Sequence, residues 1–332
     1  MLVGVFFLVI SLAVAEAFRA VVSGATHGNE LAGAWLLQQL EHRQTELLAA
    51  YPALQVETLL ANPRAHAANV RFIDTDLNRM FAAESLSVDS KDAQAGYEAQ
   101  RAKEIDAAIG SSSANRVDLL IDLHTTTTNM GCTLIVGTYS PDALAASAYV
   151  AEQWDRSSDA DENLIAAFPL RVLIDPLYGQ DECPYLCSIA RTGIEVEIGP
   201  TPQGLLRADA VAATERAVML TLEYFQRIQA GDAPPTPSTM AAYVDAGKLA
   251  WPHAENEVLP SAMVHPDLQG RDFEPLCVGD PLWIGVDGTV TYYDGTAGDE
   301  VVPIFINEAA YYHVKSGRGI GLCKPVEWTL PH

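Results

Sequence analysis

The run Val117-Asp-Leu-Leu-Ile-Asp-Leu123 constrains the fold more than any other segment. It is seven residues long, rich in branched aliphatics, and apolar on both of the faces that a strand presents. A strand of that kind is covered on both sides, as in parallel sheets. Shorter runs of the same character recur at Ala20-Val-Val-Ser-Gly24, Val56 to Ala61, Thr133 to Gly137 and Gly193 to Ile198. The last is stopped by Gly199-Pro200, and Asn62-Pro63 breaks the second. Helical spacing of apolar residues intervenes at Leu31 to Leu48, Tyr97 to Ile109 and Ala208 to Ile228. Strands alternating with helices predict an α/β fold, a mostly parallel sheet with helices on both faces.

The pattern changes after residue 230. Residues 231–239 contain Gly-Asp-Ala-Pro-Pro-Thr-Pro-Ser, a stiff, helix-breaking linker. Residues 240–332 hold Pro, Gly and Val/Tyr/Ile runs without a long helical pattern, which predicts a small β-rich C-terminal domain. The expected organisation is therefore a catalytic domain over 18–230, a linker, and a β-rich tail. Residues 1–17 are apolar until Glu16 and read as a leader or an N-terminal extension. They are short for a membrane span and lack a basic flank, so no stable membrane insertion is expected. A cytoplasmic protein is favoured, and a secreted one follows if the leader is cleaved. The five cysteines form no CxxC pair and read as free thiols. The net charge of −23 gives no field that would draw the chain to nucleic acid. An anionic substrate must instead be met by a local cluster of arginines.

Four short segments carry chemistry. Thr26-His27-Gly28-Asn29-Glu30 follows the first strand and precedes the first helix, so His27 and Glu30 can turn toward one point. Imidazole plus carboxylate is a common zinc pair. Asp122-Leu123-His124 lies at the carboxyl end of the strongest strand, where ligands gather in open α/β sheets. Asp122 and His124 share a strand face, so the aspartate can orient a metal-bound imidazole. Together His27, Glu30 and His124 make a three-residue set with an open fourth position, the pattern of a catalytic zinc site. Arg71 to Arg79, with Asn78 between them, reads as a carboxylate clamp, and a second arginine can stabilise an oxyanion. Glu195 and Glu197 end a buried strand on one face. Either can serve as general base, and spacing alone does not choose between them.

Taken with further segments, these motifs resemble the aspartoacylase/aminoacylase III family, relatives of the succinylglutamate desuccinylases and zinc carboxypeptidases. The segments are THGNE (26–30), NPRA (62–65), RFIDTDLNR (71–79), DLHTTTTNMGCTLI (122–135), IGPTPQGLLRAD (198–209), HPDLQGRDFEPL (265–276) and PIFINEAAYY (303–312). The resemblance implies a carboxypeptidase-like fold, one Zn2+ per subunit on His27, Glu30 and His124, Glu197 as general base and acid, and Arg71 polarising the scissile carbonyl. It implies that Asn78, Arg79 and Tyr311 hold the substrate's α-carboxylate, with the tail covering the site. It also implies a small-molecule N-acyl amino acid as substrate and a homodimer or higher homo-oligomer.

One departure bears on the substrate. Family members acting on N-acetylaspartate carry an arginine just before a Ser-Ile-Ala turn and a tyrosine four residues earlier. Here Cys187 precedes Ser188-Ile189-Ala190, and Cys183 stands at the tyrosine's place. Loss of a charge-assisted contact costs about 1.5–3 kcal/mol. Arg171, Arg191 and Tyr178 are the candidates to compensate. The expected reaction is deacylation of N-acyl-L-amino acids. An N-acetylaspartate-specific enzyme, a carboxypeptidase or desuccinylase, and a non-catalytic zinc-binding relative are the alternatives.

Overall fold

The computed structural model describes residues 17–87, 96–156, 161–252, 260–312 and 319–330. The apolar N-terminal stretch, apart from Ala17, lies outside the described residues. Six strands come from the first 230 residues: β1 (Phe18–Gly24), β2 (Leu54–Leu60), β3 (Leu119–Thr125), β4 (Gly131–Gly137), β5 (Leu170–Asp175) and β6 (Thr192–Gly199). The tail contributes β7 (Thr239–Leu249), β8 (Ala262–Val264), β9 (Leu276–Cys277), β10 (Pro281–Gly285), β11 (Val290–Tyr292), β12 (Glu300–Ile304) and β13 (Ile320–Thr329). The large sheet runs β2-β1-β3-β6-β4-β5-β7-β13-β12-β9, and β11-β10-β8 form a separate small sheet. Pairing is parallel from β2 through β6, antiparallel between β6 and β4, and parallel again through β5 to β7. The expected mostly parallel α/β sheet with a smaller β-rich C-terminal part is what the chain forms.

Helices cover both faces. Leu31–His42 (α1), Pro141–Gln153 (α2) and Ala208–Gln229 (α3) bury Leu36, Leu40, Val150, Val218 and Leu222 against Ala20, Val22, Leu119, Ile121, Ile194 and Val196 of the sheet. On the opposite face Val21 and Leu120 pack with Ala102 and Ile105 of the helix Tyr97–Ile109. This is the period-2 alternation of strands. All seven residues of β3 are buried, as its apolar run requires. Asp122, His124, Glu195 and Glu197 fall on the second face. Asp122 stands beside Glu195 and His124 beside Glu197 in the β3–β6 register.

Local chemistry explains the boundaries. Asn62 accepts from the Ala65 N–H and caps the short helix Pro63–Ala68, with proline at its first position. Ser140 caps α2 in the same way. The helix expected over Leu31 to Leu48 is in fact two, because the chain leaves helical geometry at Arg43. There the Arg43 guanidinium binds Glu46 and reaches Glu215 of α3. Among the elements not expected from the patterns above are α2, which is alanine-rich and only weakly amphipathic, and β5. The tail packs its own core around Trp251, Trp283, Leu282 and Tyr293, with the two indole rings 4.9 Å apart. No described helix is long and apolar enough to cross a membrane.

Candidate metal centre and substrate cleft

His27 and Glu30 sit where β1 turns into α1. Ala25 adopts a left-handed conformation (φ 55°), which swings the chain off the strand. Gly28 then passes against the helix Pro63–Ala68 so closely that a Cβ there would lie 2.2 Å from the Ala65 carbonyl carbon. Only glycine fits. Its N–H donates to the Arg71 carbonyl at 3.0 Å, which ties this loop to the arginine segment.

The ligand atoms converge. The Nδ1 atoms of His27 and His124 are 3.2 Å apart, and the Glu30 carboxylate lies 2.7 Å from the first and 3.0 Å from the second. All three side chains are buried. The Nε2 of His124 contacts Asp122 at 2.8 Å, and Asp122 also accepts from Thr26 Oγ1 at 2.7 Å. The Nε2 of His27 contacts Asp76 at 3.1 Å. With a cation bound between them, each imidazole would donate its Nε2–H to an aspartate and turn an Nδ1 lone pair toward the ion. The two nitrogens and the carboxylate can serve a cation as three donors. Tetrahedral zinc bonds of about 2.0–2.1 Å space ligand atoms about 3.3 Å apart, close to the Nδ1–Nδ1 separation. The donor set fits zinc.

Electrostatics follow from this packing. Burial pushes the Glu30 carboxyl up, but His27 and His124 outweigh it and hold the group well below the usual carboxylate range. Burial opposes protonation of His124, yet the charge of Asp122 raises its pKa well above the ordinary value. Glu197 is pushed far up, chiefly by burial in the cleft, with His124 opposing and Glu30, Glu308 and Glu195 adding repulsion. Glu195 is raised by burial too, but Asn78 Nδ2 donates to it at 2.9 Å. Among the described residues no side chain hydrogen-bonds the Glu197 carboxylate, which is partly open to the cleft. The ambiguity between the two glutamates is thus a difference in surroundings: Glu195 is held, Glu197 is poised.

Arg71 bridges Glu30 (3.3 Å) and Asp76 (3.0 Å), while its buried Nε has no hydrogen-bond partner among the described residues. Burial opposes its charge, and Asp76 and Glu30 more than restore it. Asn78 Oδ1 accepts the Leu186 N–H at 2.7 Å. Arg79 donates to the Asn78 carbonyl at 2.6 Å and lies over the Tyr185 ring at 5.1 Å. Tyr311, on a single turn over Ala309–Tyr312, comes from the tail. His27, Glu30, Arg71, Asn78, Arg79, His124, Glu197 and Tyr311 all line one cleft, and Asp122 stands behind His124.

Several working residues were not expected. Asp76 orients His27 and also accepts the Asn78 N–H at 2.9 Å, although it lies within RFIDTDLNR. Glu98, fully buried on a distant helix, accepts from the backbone N–H groups of Ile73, Asp74 and Thr75 and from Asn62 Nδ2. It shapes the loop that carries Asp76 and Asn78. Glu308 joins tail to catalytic loop through Thr126 Oγ1, the Thr127 N–H (2.9 Å) and Thr127 Oγ1 (3.0 Å). The Thr125 N–H donates to Glu30 at 3.1 Å.

A second, smaller cavity adjoins the cleft, and Cys187 and Cys183 line it with Tyr139, Tyr178, Tyr185 and Asp175. No lysine or arginine is among its described lining residues. Two of the compensating candidates point elsewhere. Arg171 stacks on Phe273 and donates to the Met130 carbonyl. Arg191 lies toward solvent beside Asp118. Tyr178 alone lines the cavity.

Comparison with known proteins agrees with this geometry. The Succinylglutamate desuccinylase/Aspartoacylase catalytic domain model matches residues 17–225, and the AstE/AspA barrel-sandwich hybrid domain model matches 238–318. A probable aspartoacylase of Nostoc sp. is 36% identical, covering 89% of this chain and 92% of its own. The N-acyl-aromatic-L-amino acid amidohydrolase (carboxylate-forming) B of Danio rerio is 34% identical, with coverages of 93% and 94%. The crystal structure of murine aminoacylase 3 superposes with a TM-score of 0.81 at 31% identity, covering 95% of this chain and 97% of that one. The chain belongs to the succinylglutamate desuccinylase/aspartoacylase family.

Proposed function

We propose that the protein is a zinc-dependent amidohydrolase that converts N-acyl-L-amino acids to a carboxylate and a free amino acid, and that it disfavours N-acetylaspartate. The observation that carries this reading is the convergence of His27 Nδ1, His124 Nδ1 and Glu30 next to the poised Glu197 carboxylate. His27, Glu30 and His124 hold the ion, which when bound supplies Lewis acidity and makes water a stronger acid near neutral pH. Glu197, ionised once a cation on His27, Glu30 and His124 offsets its burial, takes a proton from the attacking water as the water's oxygen bonds to the amide carbon. The same carboxyl then delivers that proton to the departing nitrogen as the C–N bond breaks. The Arg71 Nε–H, which has no partner among the described residues, donates to the carbonyl oxygen as negative charge builds there. Arg79, Asn78 and Tyr311 hold the α-carboxylate, and Arg79 provides the charge.

The amino-acid side chain lies in the cleft against the mouth of the smaller cavity. That cavity offers tyrosines, cysteines and carboxylates and no described cation, so a second substrate carboxylate would be repelled. The five free thiols, four of them buried, support a reducing, cytoplasmic setting. The family resemblance supports a homodimer or higher homo-oligomer. Rates on N-acetyltyrosine and N-acetylaspartate test the reading, with N-acetyltyrosine expected to show the higher kcat/KM. A strong preference for N-acetylaspartate contradicts the cavity argument. Turnover of neither contradicts the hydrolase assignment.

A further inference from the structure

We infer that Tyr185 is a positioning residue for the substrate's α-carboxylate: its ring holds the Arg79 guanidinium in the place where that cation meets the substrate. The inference rests on the reading above that Arg79 supplies the charge for the carboxylate. Arg79 needs such a support. It is exposed at the end of a flexible stem, so it has many rotamers unless a neighbour selects one. Among the described residues no carboxylate pairs with it. Its anchors are the Asn78 carbonyl, which accepts from Nη1 at 2.6 Å, and the Tyr185 ring, whose centroid lies 5.1 Å from Cζ. The carbonyl takes one of several donors. The ring face attracts the cation without taking any, so the other N–H groups stay available for a bidentate grip. An aspartate in place of the ring would hold Arg79 as firmly but would neutralise the charge that the substrate needs.

Tyr185 is itself held. Its segment is tied to the arginine segment through the Ala83 N–H to the Asp181 carbonyl (2.8 Å), the Phe81 N–H to the Pro184 carbonyl (3.2 Å) and the Leu186 N–H to Asn78 Oδ1 (2.7 Å). Ser188 closes the turn onto the Tyr185 carbonyl with its N–H at 3.0 Å and its hydroxyl at 2.8 Å. The Tyr178 ring meets the Tyr185 ring edge to face, with centroids 5.8 Å apart. Ring and guanidinium therefore arrive together, and Tyr185 lines the cleft with Asn78, Arg79 and Tyr311. None of these contacts uses the phenol oxygen. Phenylalanine preserves them, whereas leucine keeps the apolar bulk and loses the ring face that attracts the cation.

The test uses the full-length, zinc-loaded enzyme with N-acetyl-L-tyrosine. In Tyr185→Leu, KM should rise about three- to thirtyfold, the span of one cation–π contact. The kcat value should change little, the signature of lost ground-state binding. Tyr185→Phe should return KM to the wild-type value. Arg79→Leu should raise KM further, and adding Tyr185→Leu to it should bring no additional rise, because the ring acts through the guanidinium. An unchanged KM in Tyr185→Leu beside a raised KM in Arg79→Leu overturns the inference and leaves the clamp reading standing. An unchanged KM in both overturns the two together. Additive effects in the double variant, or a kcat that falls as far as KM rises, show a role apart from Arg79 and likewise overturn the inference. Absence of wild-type turnover instead refutes the hydrolase reading. Calorimetry with L-tyrosine and L-tyrosinamide then judges the inference alone: the preference for the carboxylate should shrink in Tyr185→Leu and persist in Tyr185→Phe, and an unaltered preference in Tyr185→Leu overturns it.

Discussion

Replacing Asp76 with asparagine removes one negative charge from the centre of three contacts. Asp76 touches His27 Nε2 at 3.1 Å, Arg71 Nη2 at 3.0 Å and the Asn78 N–H at 2.9 Å. Asparagine keeps the shape and one acceptor, so the loop can close. It cannot accept from all three donors, and its amide hydrogens oppose at least one of them. Removing one partner of a buried ion pair costs about 3–5 kcal/mol. Glu30 also contacts Arg71 and keeps part of that pairing, so the lower end, about 3 kcal/mol, is expected. Loss of the group that orients a metal-bound histidine typically weakens metal binding about 10–100-fold. Zinc competition against a chelator should therefore show Asp76→Asn binding at least about tenfold more weakly, and the metal-free protein should melt lower. Asp122→Asn serves as the parallel case for His124, without the arginine. Wild-type zinc affinity in Asp76→Asn would refute the claim that this aspartate fixes the His27 tautomer.

Other outcomes follow from the same contacts. Gly28→Ala forces a methyl group to within 2.2 Å of the Ala65 carbonyl carbon, so the THGNE loop must move. Zinc affinity should fall at least about tenfold, as for loss of an orienting contact. Glu98→Ala leaves three backbone N–H groups and one amide without their acceptor, and denaturant unfolding should lose about 3 kcal/mol or more. Asp272 links the catalytic loop to the tail by accepting the Asn129 and Ile306 N–H groups, and burial raises its pKa from 3.8 to about 6. The folded state thus holds that proton more tightly than the unfolded chain does. This contribution to stability is present below about pH 4 and is lost as pH rises to about 6, a change of about 3 kcal/mol. Asp272→Asn should remove that slope between pH 4 and 6 in denaturant melts, whatever its constant offset.

Much of the molecule is legible in the sequence because its signals are contiguous. The β3 run, the Gly-Pro stop after β6 and the Ala208–Gln229 helix each declare themselves within a few residues. The convergence of His27, Glu30 and His124 was legible for the same reason, since each lies in a short motif at a strand end or the turn that follows it. What stayed hidden depends on distant partners. Nothing local tells that Asp76 will find His27, that Glu98 will gather the 73–75 backbone, or that Glu308 will reach the Thr126–Thr127 loop. The Arg43 side chain at the helix break meets Glu215, far along the chain. Likewise Glu195 and Glu197 share one strand face near the same strand end, and it is the Asn78 contact of Glu195 and the opening of Glu197 on the cleft that separate them.

The measurement that bears most directly on the proposed mechanism is turnover and zinc content of Glu197→Gln in one sample. Glutamine fills the same space and contacts no ligand in the present geometry. The account predicts one zinc per subunit, as in wild type, and hydrolysis of N-acetyltyrosine reduced about 10²–10⁴-fold, the usual contribution of a general base. Retention of wild-type turnover would contradict it and transfer the role to Glu195.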